Sequence, residues 1–367
     1  MRIRSVRLIH FRNYDDEQIS LDRPFTALVG SNGAGKTNVL EAIHYLCLTR
    51  GSATTSDAQS VRSGQDFFSV IGRIGRDGMD HDIRCSFEQG KKTLVVDGKE
   101  CRRFADHIGR FPLVQIAPQD ISLIWDGGEE RRRYFDQWIS QLDRAYLEDL
   151  MRYHHFLKQS NALLRDVREG KTADRELLML YRREMSGPAE RIVSTRRRFI
   201  RELIPVLAQR YGWIAGDAEE VSIHYGPDRT EEELNRAGGV FPSEDLEAGR
   251  VVAGPHKDRF DFLLKELEIR KFGSQGQQKS FLVSMKLAGL ALLTQFLGRK
   301  PVLLLDDIFD KMDDDRTRRL LELVSQDASG QVVLTDASPT RAAAKLHEAG
   351  VDHGKIVLEA GKKINHG

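Results

Sequence analysis

An α/β fold with a mixed sheet, interrupted by an inserted and mainly helical second lobe, is what this sequence predicts. Near the N-terminus an apolar strand-like segment, 25–29, runs into a glycine-rich turn and then a helix with one apolar side. Far down the chain a second apolar run, 301–305, ends in the paired carboxylates Asp306 and Asp307. Between them, from about 131 to 210, the texture changes to long helices.

Each element follows from its pattern. Residues 2–9 and 25–29 read as strands, and 38–48 as a helix carrying Val39, Leu40, Ile43 and Leu46 on one side. Short alternating segments from 67 to 96, with turn signals at Asp77-Gly78 and Asp97-Gly98, predict an antiparallel sheet. Further on, Phe135, Trp138, Leu142, Leu150, Tyr153 and Leu157 recur at helical steps. A polar break at 169–176 separates them from a stripe with Ile192, Phe199, Leu203 and Leu207. Two antiparallel helices are therefore expected in the insertion. Strand texture returns at 219–225 and 259–269.

Composition sets the class. A chain of 367 residues suggests two or three domains at a rough prior of about 150 residues each. With 40% apolar and 30% charged residues it reads as globular, not as disordered or membrane-embedded. No secretory signal opens it, and the one apolar run long enough to suggest a membrane span, 281–297, is short and carries Lys286, so no membrane anchor is expected. Cys47, Cys85 and Cys101 lack the spacing of a disulfide framework or zinc site, which fits a reducing cytoplasm. Net charge is only +1, but eighteen Lys and Arg face eleven Asp and Glu between 131 and 210, so the helical stretch is basic and the rest acidic.

The chemistry is carried by a few motifs. Gly30-Ser31-Asn32-Gly33-Ala34-Gly35-Lys36-Thr37 fits G-x-x-x-x-G-K-[ST], between a strand and a helix as that pattern requires. Backbone N–H groups and a helix N-terminus would cradle phosphates, Lys36 would reach the β- and γ-phosphates, and the Thr37 hydroxyl would ligate Mg²⁺. ATP and Mg²⁺ are thus the expected cofactors. In a parallel sheet Asp306 and Asp307 would reach the same edge, Asp306 holding Mg²⁺ through water and Asp307 orienting the attacking water. Ser274 and Gly276, opening a long apolar helix, would offer donors to an anion, although taken alone an N-cap serine is the commoner explanation of Ser274. Arg191, Arg196, Arg197, Arg198 and Arg201 lie within three turns and would suit sequence-independent phosphate contacts; a solvated helix face is the alternative.

The order of phosphate loop, S-x-G-Q signature, LLLDD strand and following Asp313 resembles the head domain of ABC and SMC ATPases. That resemblance implies an ATP-bridged homodimer in which Ser274 and Gly276 act in trans and Asp313 lies in a loop crossing the interface. It also implies a loop glutamine that senses Mg²⁺, either Gln115 or Gln119, with Gln115 preferred. Finer motifs are similar to those of the RecF family of recombination proteins: 8–14 (LIHFRNY), 50–52 (RGS), 117–120 (APQD), Arg131 to Arg133, and 254–258 (GPHKD). Together they span nearly the whole chain.

The RecF resemblance implies a weak DNA-dependent ATPase in recombinational DNA repair, replication and the SOS response. Such a protein binds single-strand gaps and duplex junctions and helps RecO and RecR load RecA recombinase. Asp307 in place of the ABC glutamate implies slow hydrolysis, and Thr335-Asp336 stands where a switch histidine would be. A non-hydrolysing ATP-gated scaffold and a transporter ATPase subunit are the other readings. The expected organisation is an ATPase lobe from 1–125 and 216–367 around a helical lobe at 126–215. Arg12 and Arg50 are candidates for phosphate or DNA contact, and His256 for a sensor or a turn organiser.

Overall fold

The computed structural model describes residues 1–52, 56–171, 174–216, 219–230, 233, 242–310, 312–328 and 330–364. The chain divides into two compact units. One is Met1–Ile121, Gln209–Asp217 and Gln275–Gly367; the other is Ser122–Ala208 and Ala218–Ser274.

The first unit holds two six-stranded sheets. One is antiparallel, in the order Asp16–Ser20, Arg2–Ile9, Phe67–Arg76, Met79–Glu88, Lys91–Val96, Lys99–Glu100. Two of its hairpins turn at Asp77-Gly78 and Asp97-Gly98, where all four residues have positive φ, as a type I′ turn demands. The other sheet is mixed, in the order Lys362–Ile364, Gly354–Glu359, Phe25–Val29, Gln331–Asp336, Val302–Leu305, Leu113–Ile116. Only its Lys362–Ile364 edge is antiparallel. Phe25–Val29, Val302–Leu305 and Gln331–Asp336 are buried throughout, as parallel strands covered on both faces must be.

Helix Lys36–Leu48 is buried on nearly every side and shares one apolar core with strands of both sheets. Gln331 fastens the sheets together. Its Oε1 accepts from the Ile3 N–H at 2.7 Å, and its Nε2 donates to the carbonyls of Ile3, Leu21 and Arg23. Helix Gln275–Leu297 is long and apolar enough to cross a membrane, yet 72% of its most apolar stretch is buried in the fold. Its buried Lys286 is neutralised internally, Nζ lying 2.7 Å from Asp120 Oδ1 and 2.9 Å from the Gln115 carbonyl oxygen.

The second unit is larger than the insertion expected at 126–215. Where two long helices were expected there are three, Gly128–Leu142, Arg144–Arg168 and Arg175–Ala215, the last of which continues into residues of the first unit. It also takes in 218–274, where Val221–Gly226, Arg259–Leu264 and Leu267–Glu268 form a three-stranded antiparallel sheet. Burial of charge ties that sheet region to the helices. Arg196 is 1% exposed and donates to both Asp136 oxygens, to Asp258 Oδ2 at 2.7 Å and to the Pro255 carbonyl at 2.7 Å.

Arg196 therefore does not belong to a DNA-facing basic surface. It lies on the stripe of Ile192, Val193, Phe199 and Leu203, all buried, so its head points into the core. Arg191 is held bidentately by Asp149, and Arg198 lies 3.6 Å from Asp143. Of the five, Arg201 is simply exposed.

Candidate functional site

The mixed sheet delivers the predicted acids to the phosphate loop. Phe25–Val29 leads into 30–37, and Val302–Leu305, one strand beyond Gln331–Asp336, ends at Asp306. There the Thr37 hydroxyl donates to Asp306 Oδ1 at 3.0 Å. Lys36, 5% exposed, folds back along the loop and donates Nζ to the carbonyls of Gly30 and Ser31 at 2.9 and 3.0 Å. Burial raises the Asp306 carboxyl above its ordinary range, the hydrogen bonds from Thr335 and Thr37 pull it back down, and the neighbouring Asp307 pushes it up.

Sequence reading marked Thr335 only as standing where a switch histidine would be, and missed its bonds to both acids. Fully buried on the strand between the phosphate-loop strand and the Asp306 strand, it donates Oγ1 to Asp306 Oδ1 at 2.7 Å and accepts the Asp307 N–H at 2.9 Å. Asp307 has φ 43°, a left-handed conformation uncommon for a residue with a side chain, and this bond holds its amide there. One hydroxyl thus sets the attitude of both acids. Its neighbour Asp336 is fully buried too, and accepts from Arg341 and from the Ser338 N–H at the start of helix Pro339–Glu348.

The opening motif braces the loop from outside. The Tyr14 hydroxyl donates to the Gly35 carbonyl at 3.1 Å, Asn38 Nδ2 to Asn13 Oδ1 at 2.8 Å, and Arg12 binds both Glu41 oxygens, at 3.0 Å each. Arg12 is therefore a tie to helix Lys36–Leu48, not a free phosphate contact. Arg50 is exposed, and its carbonyl accepts a hydrogen bond from the ring of buried His44 at 2.6 Å. At Gly30 any Cβ would meet the Leu358 carbonyl oxygen at 2.2 Å, so the loop can pass the edge of the sheet only with glycine there.

Gln115 and Gln119 separate clearly. Gln119 is exposed, whereas both polar atoms of the Gln115 amide are buried and have no hydrogen-bond partner among the described residues. A buried amide so placed suits a ligand oxygen or a hydrated ion. Asp120 serves its own loop, accepting from the Ala117 N–H at 2.7 Å as well as from Lys286. Ser274 is exposed just before helix Gln275–Leu297, and Gly276 packs so closely on Arg316 that a Cβ would lie 2.5 Å from its guanidinium. Asp313 caps helix Asp314–Leu323 by accepting from the Arg316 N–H at 2.9 Å.

In the second unit the remaining motifs are structural. Arg131, 6% exposed, donates to the carbonyls of Leu123, Ile124 and Phe260, and Arg132 to that of Asp258. His256 accepts at Nδ1 from the Tyr153 hydroxyl at 2.6 Å and donates from Nε2 to the Val251 carbonyl at 3.1 Å; burial lowers its pKa to about 4, so it stays neutral. Its two bonds join Tyr153 to the carbonyl of Val251.

The donor set of the first unit fits a triphosphate with a hard divalent cation: a lysine within the loop, a hydroxyl and a carboxylate in contact, and a second carboxylate held beside them. A family model described as an AAA domain matches residues 5–173. The DNA replication and repair protein RecF of Cytophaga hutchinsonii is 36% identical over 362 residues, covering 99% of this chain and 96% of that protein. The protein of the same name from Bacteroides thetaiotaomicron is 35% identical, covering 98% of each. Among solved structures, the recombination mediator protein RecF with ATP in the RecFOR pathway superposes with a TM-score of 0.88 at 25% identity, over 99% of this chain and 98% of that one. An SMC head bound to the winged-helix domain of ScpA shares the fold at a TM-score of 0.56 and 15% identity, over 99% of this chain and 96% of that one. With relatives this similar over nearly its whole length, the chain belongs to the RecF family of DNA replication and repair proteins.

Proposed function

We propose that this chain is an ATP-gated DNA-binding protein of recombinational repair and replication, acting in the cytoplasm as an ATP-bridged homodimer with slow hydrolysis. The direct bond between Thr37 and Asp306 carries this reading, because it joins the phosphate loop to the acid strand in one site. On nucleotide binding, Lys36 leaves the carbonyls of Gly30 and Ser31 for the phosphates. Thr37 and Asp306, with Gln115, would hold Mg²⁺, which would neutralise charge on the phosphate oxygens. Asp307 orients the attacking water, and Thr335 keeps it in place. Ser274 and Gly276 serve the nucleotide of the second copy, which is consistent with the exposure of Ser274.

By family, its DNA is a single-strand gap or a duplex junction, bound without regard to sequence, and its partners are RecO and RecR in loading RecA. The test is affinity for a gapped duplex at one fixed salt concentration with Mg-ATP, Mg-ADP, and a Lys36→Met variant. Tight binding only with ATP, lost in the variant, is expected; equal weak binding in all three would overturn the gating. A non-hydrolysing scaffold remains a second reading, favoured by Thr335 standing in place of a switch histidine. Hydrolysis that Asp307→Asn abolishes would exclude it.

A further inference from the structure

The second unit carries a hollow of about 550 Å³ lined by Asn161, Arg165, Arg168, Ala248, Gly249 and Arg250. Asn161, Arg165 and Arg168 lie on one face of helix Arg144–Arg168, at the four- and three-residue steps that bring helical side chains together. The opposite wall is 248–250. Asn161 Oδ1 accepts the Val251 N–H at 2.8 Å and so clamps that wall to the helix. Gly249 has φ 65°, and a Cβ there would lie 2.9 Å from Arg168 Cδ, so the arginine rests on the glycine.

The charge is unbalanced. Among the described residues none of Arg165, Arg168 and Arg250 has a carboxylate partner; Arg168 donates only to the Ala248 carbonyl, at 3.4 Å. The adjacent acids Asp166 and Glu169 are both drawn to Lys171. Three arginines line one hollow, and an anion bound there would relieve the repulsion among their charges. Among the described residues no aromatic ring lines the hollow to stack a base, and no acid lines it to read one. Such a lining suits an anion with several oxygens, such as a phosphate.

Resting on the DNA-binding reading above, the geometry points to this hollow as a clamp for the phosphodiester backbone of duplex nucleic acid, gripped by Arg165, Arg168 and Arg250. Because guanidinium forks contact phosphate oxygens irrespective of base, the site fixes position without specifying sequence.

The test uses the full-length protein with Mg-ATP and a gapped duplex over a salt series, comparing wild type with R165Q/R168Q/R250Q. Each lost phosphate contact should flatten the log-affinity against log-salt slope by about 0.9, so a change of about 2 to 3 is expected, with affinity at moderate salt down by ten-fold or more. R23Q, at an arginine near Asp352 in the other unit, should change neither quantity. R250Q alone, at an exposed position, should flatten the slope by about 1 and guards against misfolding of the triple variant.

Tight wild-type binding with an unchanged slope in both variants would overturn the clamp and leave the DNA-binding reading standing. No wild-type binding would overturn both. Inorganic pyrophosphate or poly-glutamate binding that needs the three arginines, with duplex affinity unaffected, would assign the hollow to a free polyphosphate or an acidic polypeptide instead and reject the nucleic-acid ligand.

Discussion

Lys286 and Asp120 form an ion pair of 2.7 Å inside the first unit, between residues 166 apart in sequence. One sits in the helix that the signature opens, the other in the loop that follows Gln115. The pair mechanically links those two parts. Removing one member strands the other charge, which costs about 3–5 kcal/mol when such a pair is buried. Lys286→Met should lower stability in chemical denaturation by an amount of that order, and Lys286→Met combined with Asp120→Leu should recover much of it. Additive losses in the double variant would show that the two residues are not coupled.

Thr335 should be a positioning residue. In Thr335→Val the Asp306 carboxylate loses a donor and the Asp307 amide loses its acceptor. We expect ATP affinity within about two-fold of wild type, hydrolysis down by roughly ten-fold or more, and a higher Mg²⁺ concentration for half-maximal rate. Thr335→Ser, which keeps the hydroxyl, should restore most of both. If valine and serine behave alike, the hydroxyl has no role in hydrolysis.

Gln331 is predicted to be a stability residue of unusual weight for one amide. Gln331→Leu would leave the Ile3 N–H and three carbonyls without their partner, and at about 1–3 kcal/mol for each buried group left unsatisfied a loss of several kcal/mol is expected. Thermal unfolding of the variant measures it. A change below about 1 kcal/mol would mean that water replaces the amide.

Buried histidines predict acid lability. Burial pushes His44, His107 and His256 down to about 4 from an ordinary value of 6.5. Their folded pKa lies below the unfolded one, so the unfolded chain binds the extra protons between the two. Stability is therefore full above about pH 6.5 and falls as pH drops toward 4, by up to about 1.4 kcal/mol per pKa unit for each ring. Urea midpoints from pH 7 to 4.5 should decline, less steeply in His107→Gln than in wild type. Parallel curves would assign the loss to other groups.

What could be read in advance was what chemistry constrains locally. The loop 30–37 and the run ending in Asp306 and Asp307 are legible because phosphate and metal binding require those residue types in fixed order. Asp77-Gly78 and Asp97-Gly98 are legible because their turns require positive φ. Thr335 was not legible, since a threonine in an apolar strand has no pattern and acquires its role only when the next strand places Asp306 beside it. The burial of Arg196 was readable in part, from its place on the stripe of Ile192 and Phe199. Its partner Asp258 lies 62 residues away and no local periodicity announces it. The same long reach hid the true extent of the second unit.

Arg196 also bears on how the chain is made. A ribosome releases Asp136 and the helix bearing Arg196 well before Asp258, and the strands Val221–Gly226 and Arg259–Leu264 come between and after. The nascent helices must wait, with one of the cation's two acids missing, until residue 258 has emerged. The sheet of the first unit waits longer still, because Phe25–Val29 pairs with Gln331–Asp336 and Gly354–Glu359. The second unit can close once residue 274 has emerged, but the first cannot until its last strands are made, so premature termination between the two leaves the phosphate-loop unit incomplete, a substrate for proteolysis instead of a smaller working protein.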